Sequence, residues 1–382
     1  MSSFAYQSPW MNDALQLWRS QVAKFVQREF VPQQQRWRQQ QRPDRSAWAL
    51  AGATGMLLPD IAAEYGGGGG TFAHECVVQE ELARAGVHFG SNIQSIVAHY
   101  IAAYGNEAQK HAWLPRMAKG ELIGAIAITE PDAGSDIKGM RISARRDDGN
   151  YVINGTKTFI TNGCHANLLC VAVKTGAGAG PKSISLIIVE TGDLPGYRTG
   201  SSLDKIGMHG QDTCELFFDE VRVPAENLLG GAEGCGFAQM LEQLPYERLG
   251  VGVVAVATAE QAVAITTRYV KERSAFGEHL IDFQNTRFRL AECATEAHIG
   301  RVFLDDCIER FIARRLDDVT TAMVKYWLTD CQCRIVDKCV QLHGGYGYMA
   351  EYPIARMWAD SRVQRIYAGT NEIMKELIAW SM

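Results

Sequence analysis

The chain has 382 residues, of which 47% are hydrophobic and 21% are charged, and its formal net charge at pH 7 is −5. This length and composition are sufficient to bury two or three hydrophobic cores. The acidic balance argues against nonspecific nucleic-acid binding. No run of about 18 apolar residues stands out, so we expect no integral membrane segment.

The N-terminal residues and the cysteines indicate the cellular compartment of the protein. Positions 1–13 lack a basic segment followed by an apolar one, so we expect no secretory signal and a cytoplasmic protein of bacterial type. The ten cysteines form no CxxC pair and show no metal-type spacing. Buried thiols in a reducing compartment are therefore expected, with neither disulfides nor a metal site.

Residues 1–121 are predicted to form an N-terminal α-helical domain. Apolar Leu15, Val22 and Phe25 recur at helical spacing, and good helix formers are frequent. Five consecutive glycines at 66–70 predict a loop, because glycine is costly inside a helix. The sequence leaves open whether this loop is a flexible connector or a functional lid.

Residues 122–235 are predicted to form a middle β domain. The Asn154-Gly155 pair between 151–153 and 156–161 predicts a hairpin, and further strands are expected at 168–173, 184–189 and 215–218. No helical segments separate these strands, which favours an antiparallel barrel or sandwich over a parallel sheet. A Rossmann domain is disfavoured because no GxGxxG motif follows a strand.

Residues 236–382 return to a helical pattern. Long helices are expected at 251–270, 283–314 and 318–342. Helices of this length are typical of a helix bundle. The predicted fold class is therefore α+β and multidomain, with a helical domain, a β domain and a C-terminal bundle of long helices.

Two segments of the middle domain have the chemistry of a cofactor site. Segment 126–136, IAITEPDAGSD, runs from an apolar strand into a turn where Gly134 and Ser135 offer backbone N–H groups and a hydroxyl. In segment 159–162, FITN, Phe159 and Thr161 lie two apart on a strand and are expected to share a face. Together they predict a stacking surface with a donor beside it, suited to a heteroaromatic ring or a phosphate.

With the C-terminal segment 362–372, RVQRIYAGTNE, these motifs resemble the acyl-CoA dehydrogenase family along nearly the whole chain. The resemblance implies a flavoprotein oxidoreductase of lipid metabolism and fatty acid β-oxidation. Such an enzyme uses FAD to convert a saturated acyl-CoA into a trans-2-enoyl-CoA. It also implies two helical domains flanking a β domain, electron-transfer flavoprotein as electron acceptor, and a homotetramer.

This reaction needs a carboxylate that removes the α-proton while the β-hydrogen leaves as hydride to flavin N5. An apolar surround is expected to raise the pKa of that carboxylate towards the working pH. In most members of the family the glutamate occupies the position of Ala368. A minority subclass, with long-chain and isovaleryl types, carries it on a helix of the C-terminal domain, immediately before an arginine. The resemblance therefore assigns Glu247, followed by Arg248, as the base, and a solvated surface pair is the alternative interpretation.

The other site residues follow from the resemblance position by position. The residues expected to bind FAD within the chain are Ile126, Ile128, Thr129, Gly134, Ser135, Phe159, Thr161, Thr370 and Glu372. The residues expected to reach the FAD of a neighbouring subunit are Arg273, Phe276, Gln284, Gln341, Gly344 and Gly345. Substrate contacts are expected from Ser135, Arg248 and Gly369. The thioester oxygen is expected to accept hydrogen bonds from a backbone N–H at or next to Ala368 and from the flavin ribityl chain.

Other functions stay open on the sequence. Some proteins of this fold act on carrier-protein thioesters, and others are flavin monooxygenases. A catalytically silent interaction protein is expected if Glu247 points away from the flavin. Segment 86–93 is expected to border the acyl pocket, and segment 372–379 resembles long-chain members, but the length and branching of the acyl chain stay open.

Overall fold

The computed structural model describes residues 6–176 and 180–382. In these residues, six helices are followed by a sheet of seven strands, and then by five further helices with a small two-stranded hairpin. The predicted order of helical, β and helical regions is confirmed.

The N-terminal helices pack around aromatic side chains. They are α1 (Asp13–Phe25), α2 (Gln34–Gln40), α3 (Arg45–Ala53), α4 (Phe72–Ala85), α5 (Ser91–Tyr104) and α6 (Glu107–Ala118). The ring of Phe89 lies between those of Phe30 and Trp48, with centroid distances of 4.6 and 4.4 Å. Asn12 and Asn106 cap the first turns of α1 and α6 by accepting backbone N–H groups.

The glycine run at 66–70 forms an ordered connection between α3 and α4. Gly68 N donates to Leu58 O, and Gly70 N donates to Pro59 O, both at 3.0 Å. A Cβ on Gly67 would lie 2.3 Å from the carbonyl oxygen of Ile61, so close backbone packing requires glycine there. These contacts favour the connector over the lid.

The middle domain is a mixed sheet with the strand order β1-β4-β2-β3-β7-β6 and with β5 paired to β4. The strands are β1 (Gly124–Ala127), β2 (Ser143–Asp147), β3 (Asn150–Thr161), β4 (Leu168–Lys174), β5 (Ile184–Glu190), β6 (Tyr197–Thr199) and β7 (Thr213–Pro224). The pairing is antiparallel except that β1 runs parallel to β4 and that one parallel bridge joins β2 to β4. The parallel pair needs no crossover helix, because β2 and β3 form the connection between its strands.

The hairpin predicted at Asn154-Gly155 is wrong. Both residues lie inside the continuous strand β3, where the register with β7 shifts at a bulge. The turn comes earlier, between β2 and β3, where Asp148 and Gly149 have φ of 43° and 74°. Asp148-Gly149 and Asn154-Gly155 carry a similar turn signal, and the pairing of β2 with β3 places the turn at Asp148-Gly149.

Three long helices form the C-terminal bundle. They are α7 (Gly236–Glu272), α8 (Gln284–Ile312) and α9 (Asp318–His343), and α10 (Pro353–Ser361) and α11 (Asn371–Trp380) pack on α9. The short strands β8 (Ser274–Ala275) and β9 (Glu278–His279) follow α7. The predicted bounds of α8 and α9 agree closely with the structure. Helix α7 begins 15 residues before the predicted start at 251, because it accommodates Pro245 in its interior.

Helix α7 is long and apolar enough, by length and composition alone, to cross a membrane. The sequence predicts a long helix at 251–270 and no integral membrane segment. More than half of its most apolar window is buried within the protein, where α7 packs against α4, α8 and α9. A helix that is apolar on most sides is typical of the core of a large protein as well as of a membrane span.

We predict that Gly52→Ala destabilises the N-terminal domain. A Cβ at this position of α3 would lie 2.5 Å from the carbonyl carbon of Lys119, in the backbone that leads into β1. Overpacking of this kind costs about 1–3 kcal/mol, more than the helix propensity that alanine gains. The expected result is a lower thermal midpoint.

Gly250→Ala on α7 is the matched control, because no atom lies within 4 Å of the added Cβ. Its thermal midpoint should stay unchanged or rise. Equal midpoints for the two variants would show that the approach of α3 to Lys119 does not constrain the fold.

Candidate active site

Glu247 lies on α7, two residues after Pro245, and its side chain is half-buried. Tyr100 on α5 donates its hydroxyl to Glu247 Oε1 at 3.0 Å. Burial raises the pKa of Glu247 to about 7, although the Tyr100 hydrogen bond and the Arg248 charge act to lower it. A carboxyl that titrates near neutral pH is suited to accept a proton, and it is not a solvated surface group.

A left-handed turn at Ala368 and Gly369 adjoins this part of α7. The two residues have φ of 53° and 85°, and Thr370 then caps α11 by accepting the N–H of Ile373 at 3.3 Å. A Cβ on Gly369 would lie 3.8 Å from Arg248 Nη2, so the structure brings Arg248 to the turn. Arg248 is buried, and its Nε has no hydrogen-bond partner among the described residues. A cation with an unused donor is therefore available to a ligand group at this place.

Lys325 on α9 holds the turn from the protein interior. Its Nζ donates to the carbonyl oxygen of Gly369 at 2.6 Å and to Asn371 Oδ1 at 2.9 Å, and its side chain is fully buried. Burial and the nearby Arg248 charge lower the pKa of Lys325 to about 7. Sequence reasoning missed Lys325 and Asn371, and the only signal was a single lysine in an otherwise apolar stretch of α9.

The segment after β1 forms a tight loop at the edge of the middle domain. Ile126, Ile128 and Thr129 are half-buried, and Thr129 O accepts the N–H of Thr158 at 2.9 Å. Gly134 and Ser135 are exposed, and nothing lies within 4 Å of a Cβ built on Gly134. The loop therefore presents a backbone and a hydroxyl to open space.

Phe159 provides an exposed aromatic surface beside this loop. The register of β3 with β7 shifts between Lys157 and Ile160, and Phe159 has φ of 57° with its side chain 67% exposed. Thr161 is half-buried, and the intervening Ile160 is buried, so Phe159 and Thr161 lie on the open side of the strand. An exposed ring, a neighbouring hydroxyl and the open loop fit a flat heteroaromatic cofactor.

A buried ion pair fixes the loop from behind. Lys157 Nζ donates to Ile128 O at 2.7 Å and to Glu130 Oε1 at 3.0 Å. The Glu130 carboxylate also accepts the N–H groups of Arg141 and Ile142, at 2.6 and 3.2 Å. Burial lowers the pKa of Lys157 to about 8, although Glu130 acts to raise it. Sequence reasoning missed this pair, because neither residue stands at a recognisable spacing.

A second group of predicted residues lies on the surface at the far end of the bundle. Arg273, Phe276, Gln284, Gln341, Gly344 and Gly345 are all exposed. Arg273 Cζ lies 5.6 Å from the ring centroid of Tyr346, which joins the end of α7 to the segment after α9. Arg273 follows Glu247 by 26 residues along α7, roughly 39 Å of helix axis at about 1.5 Å per residue. The structure therefore does not bring this group to Glu247 within one chain.

Thr370 and Glu372 lie at the start of α11, beside the left-handed turn. Glu372 is exposed, and the backbone N–H groups at the helix start lower its pKa. Thr370, as the cap, orients the first turn of α11 directly after Gly369. These two residues are close to the turn in sequence and in space.

Known proteins are similar along the whole chain. Family models described as acyl-CoA dehydrogenase N-terminal, middle and C-terminal domains match residues 12–121, 125–221 and 234–382. The mitochondrial long-chain specific acyl-CoA dehydrogenase of Sus scrofa is 43% identical over 367 residues, 95% of this chain and 85% of the relative.

Solved structures agree with the sequence matches. An acyl-CoA dehydrogenase from Geobacillus kaustophilus has a TM-score of 0.96 and 45% identity, covering 98% of this chain and 99% of that one. A glutaryl-CoA dehydrogenase from Mycobacterium smegmatis in complex with FADH2 has a TM-score of 0.90 and 29% identity, covering 97% and 95%.

We predict that Glu247 lowers the stability of the protein at alkaline pH. Its pKa is about 7 in the folded chain and near 4.5 as a free carboxyl, so the folded state binds more protons between these values. The destabilisation caused by the buried Glu247 carboxylate is absent below pH 4.5 and is complete above pH 7. Glu247→Gln should therefore raise the thermal midpoint at about pH 8, and the difference should shrink as the pH approaches about 5.

Glu272→Gln, which changes an exposed carboxylate at the end of the same helix, is the control. It should show no such pH-dependent gain in midpoint. If Glu247→Gln and Glu272→Gln behave alike at both pH values, the Glu247 carboxyl is not desolvated.

Proposed function

The chain belongs to the acyl-CoA dehydrogenase family, and on that premise we propose how its own residues carry out the reaction. The protein is an oxidoreductase of this family of flavoproteins, and its reaction is the α,β-dehydrogenation of an acyl-CoA. FAD is the proposed cofactor, held between the middle domain and the C-terminal bundle.

Glu247 is the proposed base. One carboxylate oxygen takes the α-proton of the acyl thioester, and the electron pair of that C–H bond becomes the new double bond as the β-hydrogen leaves with its own pair. FAD, when bound, supplies the acceptor of this hydride at N5. The observation that carries the assignment is a half-buried carboxyl with a pKa of about 7, directly before the arginine that reaches the left-handed turn. Such a group is ionised in a large fraction of molecules at neutral pH and gains a proton readily.

The turn is the proposed site for the thioester oxygen. A backbone N–H at or next to Ala368 donates to this oxygen, where negative charge develops as the α-proton leaves. Lys325 supports that role, because it fixes the Gly369 carbonyl and the start of α11. Arg248 supports substrate binding, because its Nη2 lies at the same turn and its Nε has no hydrogen-bond partner among the described residues. Ser135 and Gly369 complete the proposed substrate contacts.

The flavin assignment is supported by the middle-domain surface. We propose that Thr129, Phe159 and Thr161 contact the ring system, and that Gly134 and Ser135 contact the near phosphate. Ile126 and Ile128 line the same site, and Thr370 and Glu372 contact the adenosine and pyrophosphate part. The exposed Phe159 ring and the open space at Gly134 support this placement.

The exposed residues at the far end of the bundle, among them Arg273 and Phe276, support an oligomer. Since Arg273 and its neighbours lie far from Glu247 in one chain, we propose that they bind the FAD of an adjacent subunit, in a homotetramer. Phe276 supports this proposal, because an aromatic side chain that is 98% exposed is unusual on a free surface. Electron-transfer flavoprotein is the proposed acceptor of the electrons, and a cytoplasmic location stays a prediction.

The acyl chain is proposed to be long and saturated. Identity of 43% to a long-chain specific enzyme over 95% of the chain supports this choice. Steady-state rates across acyl-CoA thioesters from short to long, including branched ones, test it directly. A preference for short or branched thioesters would replace the proposed substrate and leave the family reaction unchanged.

Glu247→Gln is the test of the base. The amide keeps the shape of the side chain but cannot take the proton, so FAD should remain bound while anaerobic reduction by acyl-CoA slows by ~10²–10⁴-fold. Stopped-flow bleaching of the oxidised flavin measures the rate, and Glu272→Gln should bleach like the wild type. If Glu247→Gln bleaches at close to the wild-type rate, Glu247 is not the base. If the wild-type flavin is not bleached by any acyl-CoA, the monooxygenase or silent alternative replaces the dehydrogenase.

Arg273→Ala is the test of the shared site. Loss of this cation should reduce FAD retention during gel filtration, although Arg273 lies roughly 39 Å along α7 from Glu247. Lys271→Ala, an exposed neighbour on the same helix end, should retain FAD like the wild type. A flavin-loaded monomer in analytical ultracentrifugation would contradict the proposal of a site completed by a second subunit.

A further inference from the structure

Two thiols and a carboxylate meet beside the end of β3. The ligand atoms of Cys164, Asp212 and Cys214 all lie within 4.8 Å of one another. Cys214 lies on β7 opposite Ile160 of β3, while Cys164 lies in the turn that follows β3. The cluster is therefore assembled by strand pairing across about 50 positions of the chain, so that spacing in the sequence gives no sign of it.

One oxygen of the Asp212 carboxylate accepts a hydrogen bond, and the other does not. Its side chain is fully buried, and Oδ2 accepts the N–H of Cys164 at 2.6 Å. Oδ1 makes no hydrogen bond among the described residues. A buried carboxylate oxygen without a donor is costly, and such an atom in a native structure calls for a partner.

His165 places an imidazole nitrogen beside Asp212. Its Nδ1 lies 2.9 Å from Asp212 Oδ1, yet neither ring nitrogen forms a hydrogen bond of acceptable geometry among the described residues. An imidazole nitrogen and a carboxylate oxygen that are close but not aligned for hydrogen bonding can share a third atom. The imidazole therefore flanks the cluster of two sulfurs and one oxygen at Asp212.

This donor set matches one type of ion. Zn²⁺ in structural sites is tetrahedral, with Zn–S of about 2.3 Å and Zn–N or Zn–O of about 2.0–2.2 Å. The edges of such a tetrahedron are about 3.3–3.8 Å, within the 4.8 Å spread of the cluster. Thiolates select thiophilic cations against Mg²⁺ and Ca²⁺, which prefer oxygen ligands.

We propose that Cys164, Cys214 and Asp212 bind one Zn²⁺-type cation, with a water molecule in the fourth position and with His165 as the neighbour that orients Asp212. Binding forms two metal–sulfur bonds, and the two thiol protons leave to solvent. The sequence expectation of no metal site considered only spacing along the chain, and the strand pairing revises it. A metal-free pair of thiols, one half-buried at Cys164 and one buried at Cys214, beside a His–Asp contact is the competing interpretation.

The position of the cluster gives the metal a structural role. The adjacent Asn162 donates from Nδ2 to the carbonyl oxygens of Gly90 and Gly124, both at 3.1 Å. A cation at Cys164 would tie this turn to β7, directly after the segment that carries Phe159 and Thr161. The expected effect is a more stable turn, with no part in the chemical step.

The test uses the purified full-length protein, treated with chelator and then titrated with Co²⁺ under reducing, anaerobic conditions. About one Co²⁺ per chain should bind with the red d–d absorption of a tetrahedral thiolate site, in a region free of oxidised-flavin absorption. Zn²⁺ should displace it and should raise the thermal midpoint of the chelator-treated protein. Cys164→Ser should lose both the band and the Zn²⁺-dependent rise in midpoint.

Cys293→Ser is the matched control, because Cys293 is a buried thiol outside this cluster. It should keep the band and the rise. His165→Ala is a second variant for the case in which a cysteine variant fails to fold. It changes a side chain near the surface of the cluster, and it should weaken Co²⁺ binding and alter the band. No band in the wild type, or an identical band in Cys164→Ser or His165→Ala, would overturn the site. None of these readouts depends on the dehydrogenase activity.

Discussion

The close contact between α7 and α9 sets the geometry on which the candidate active site depends. Gly252 on α7 lies against α9, where a Cβ would be 2.7 Å from Val324 Cγ1. Glu247 lies five residues before Gly252, and Lys325 directly follows Val324, so this contact is close in sequence both to the proposed base and to the lysine that holds the turn. Because protein interiors are close-packed, a change of one methyl group at this contact shifts both groups.

Buried charges in this protein fall into two kinds. Arg301 Nη1 lies 2.6 Å from Glu80, and Arg301 Nε lies 2.8 Å from Glu260. Burial alone would lower the pKa of Arg301, but these carboxylates raise it. This network satisfies its own charges and stabilises the packing of α4, α7 and α8. Glu247 and Lys325 instead have pKa values of about 7 and form no ion pair among the described residues, which is typical of groups arranged for proton transfer or ligand binding.

The proposed base, Glu247, also joins two parts of the chain. Its carboxyl is on α7 in the C-terminal bundle, while the hydroxyl that orients it is on α5 in the N-terminal region. Tyr100 is fully buried, and burial raises its pKa well above the usual value, so it stays a hydrogen-bond donor across the working pH range. Proper alignment of the carboxylate thus depends on the packing of α5 on α7, which the cores on both sides maintain.

The sequence was sufficient for the fold class and for α8 and α9, because long helices with regular apolar spacing leave little ambiguity. It failed for the hairpin, since Asp148-Gly149 and Asn154-Gly155 give nearly the same local signal and only the strand register separates them. The family resemblance supplied Glu247. Lys157 and Lys325 were missed, because a lone lysine shows its role only when its buried partners are placed in space.

The left-handed turn at Ala368 and Gly369 is compatible with the proposed base on α7. A residue other than glycine in this conformation costs roughly 1–2 kcal/mol, so Ala368 is retained with φ of 53° only because its surroundings hold it there. Lys325 and the Thr370 cap provide that support through Gly369 and α11. With the carboxylate on α7, the turn needs to supply only backbone N–H groups and space, and a small side chain suits both requirements. In the proposed mechanism, the two tasks of taking the α-proton and binding the thioester oxygen are thus divided between two elements that meet at Arg248 and Gly369.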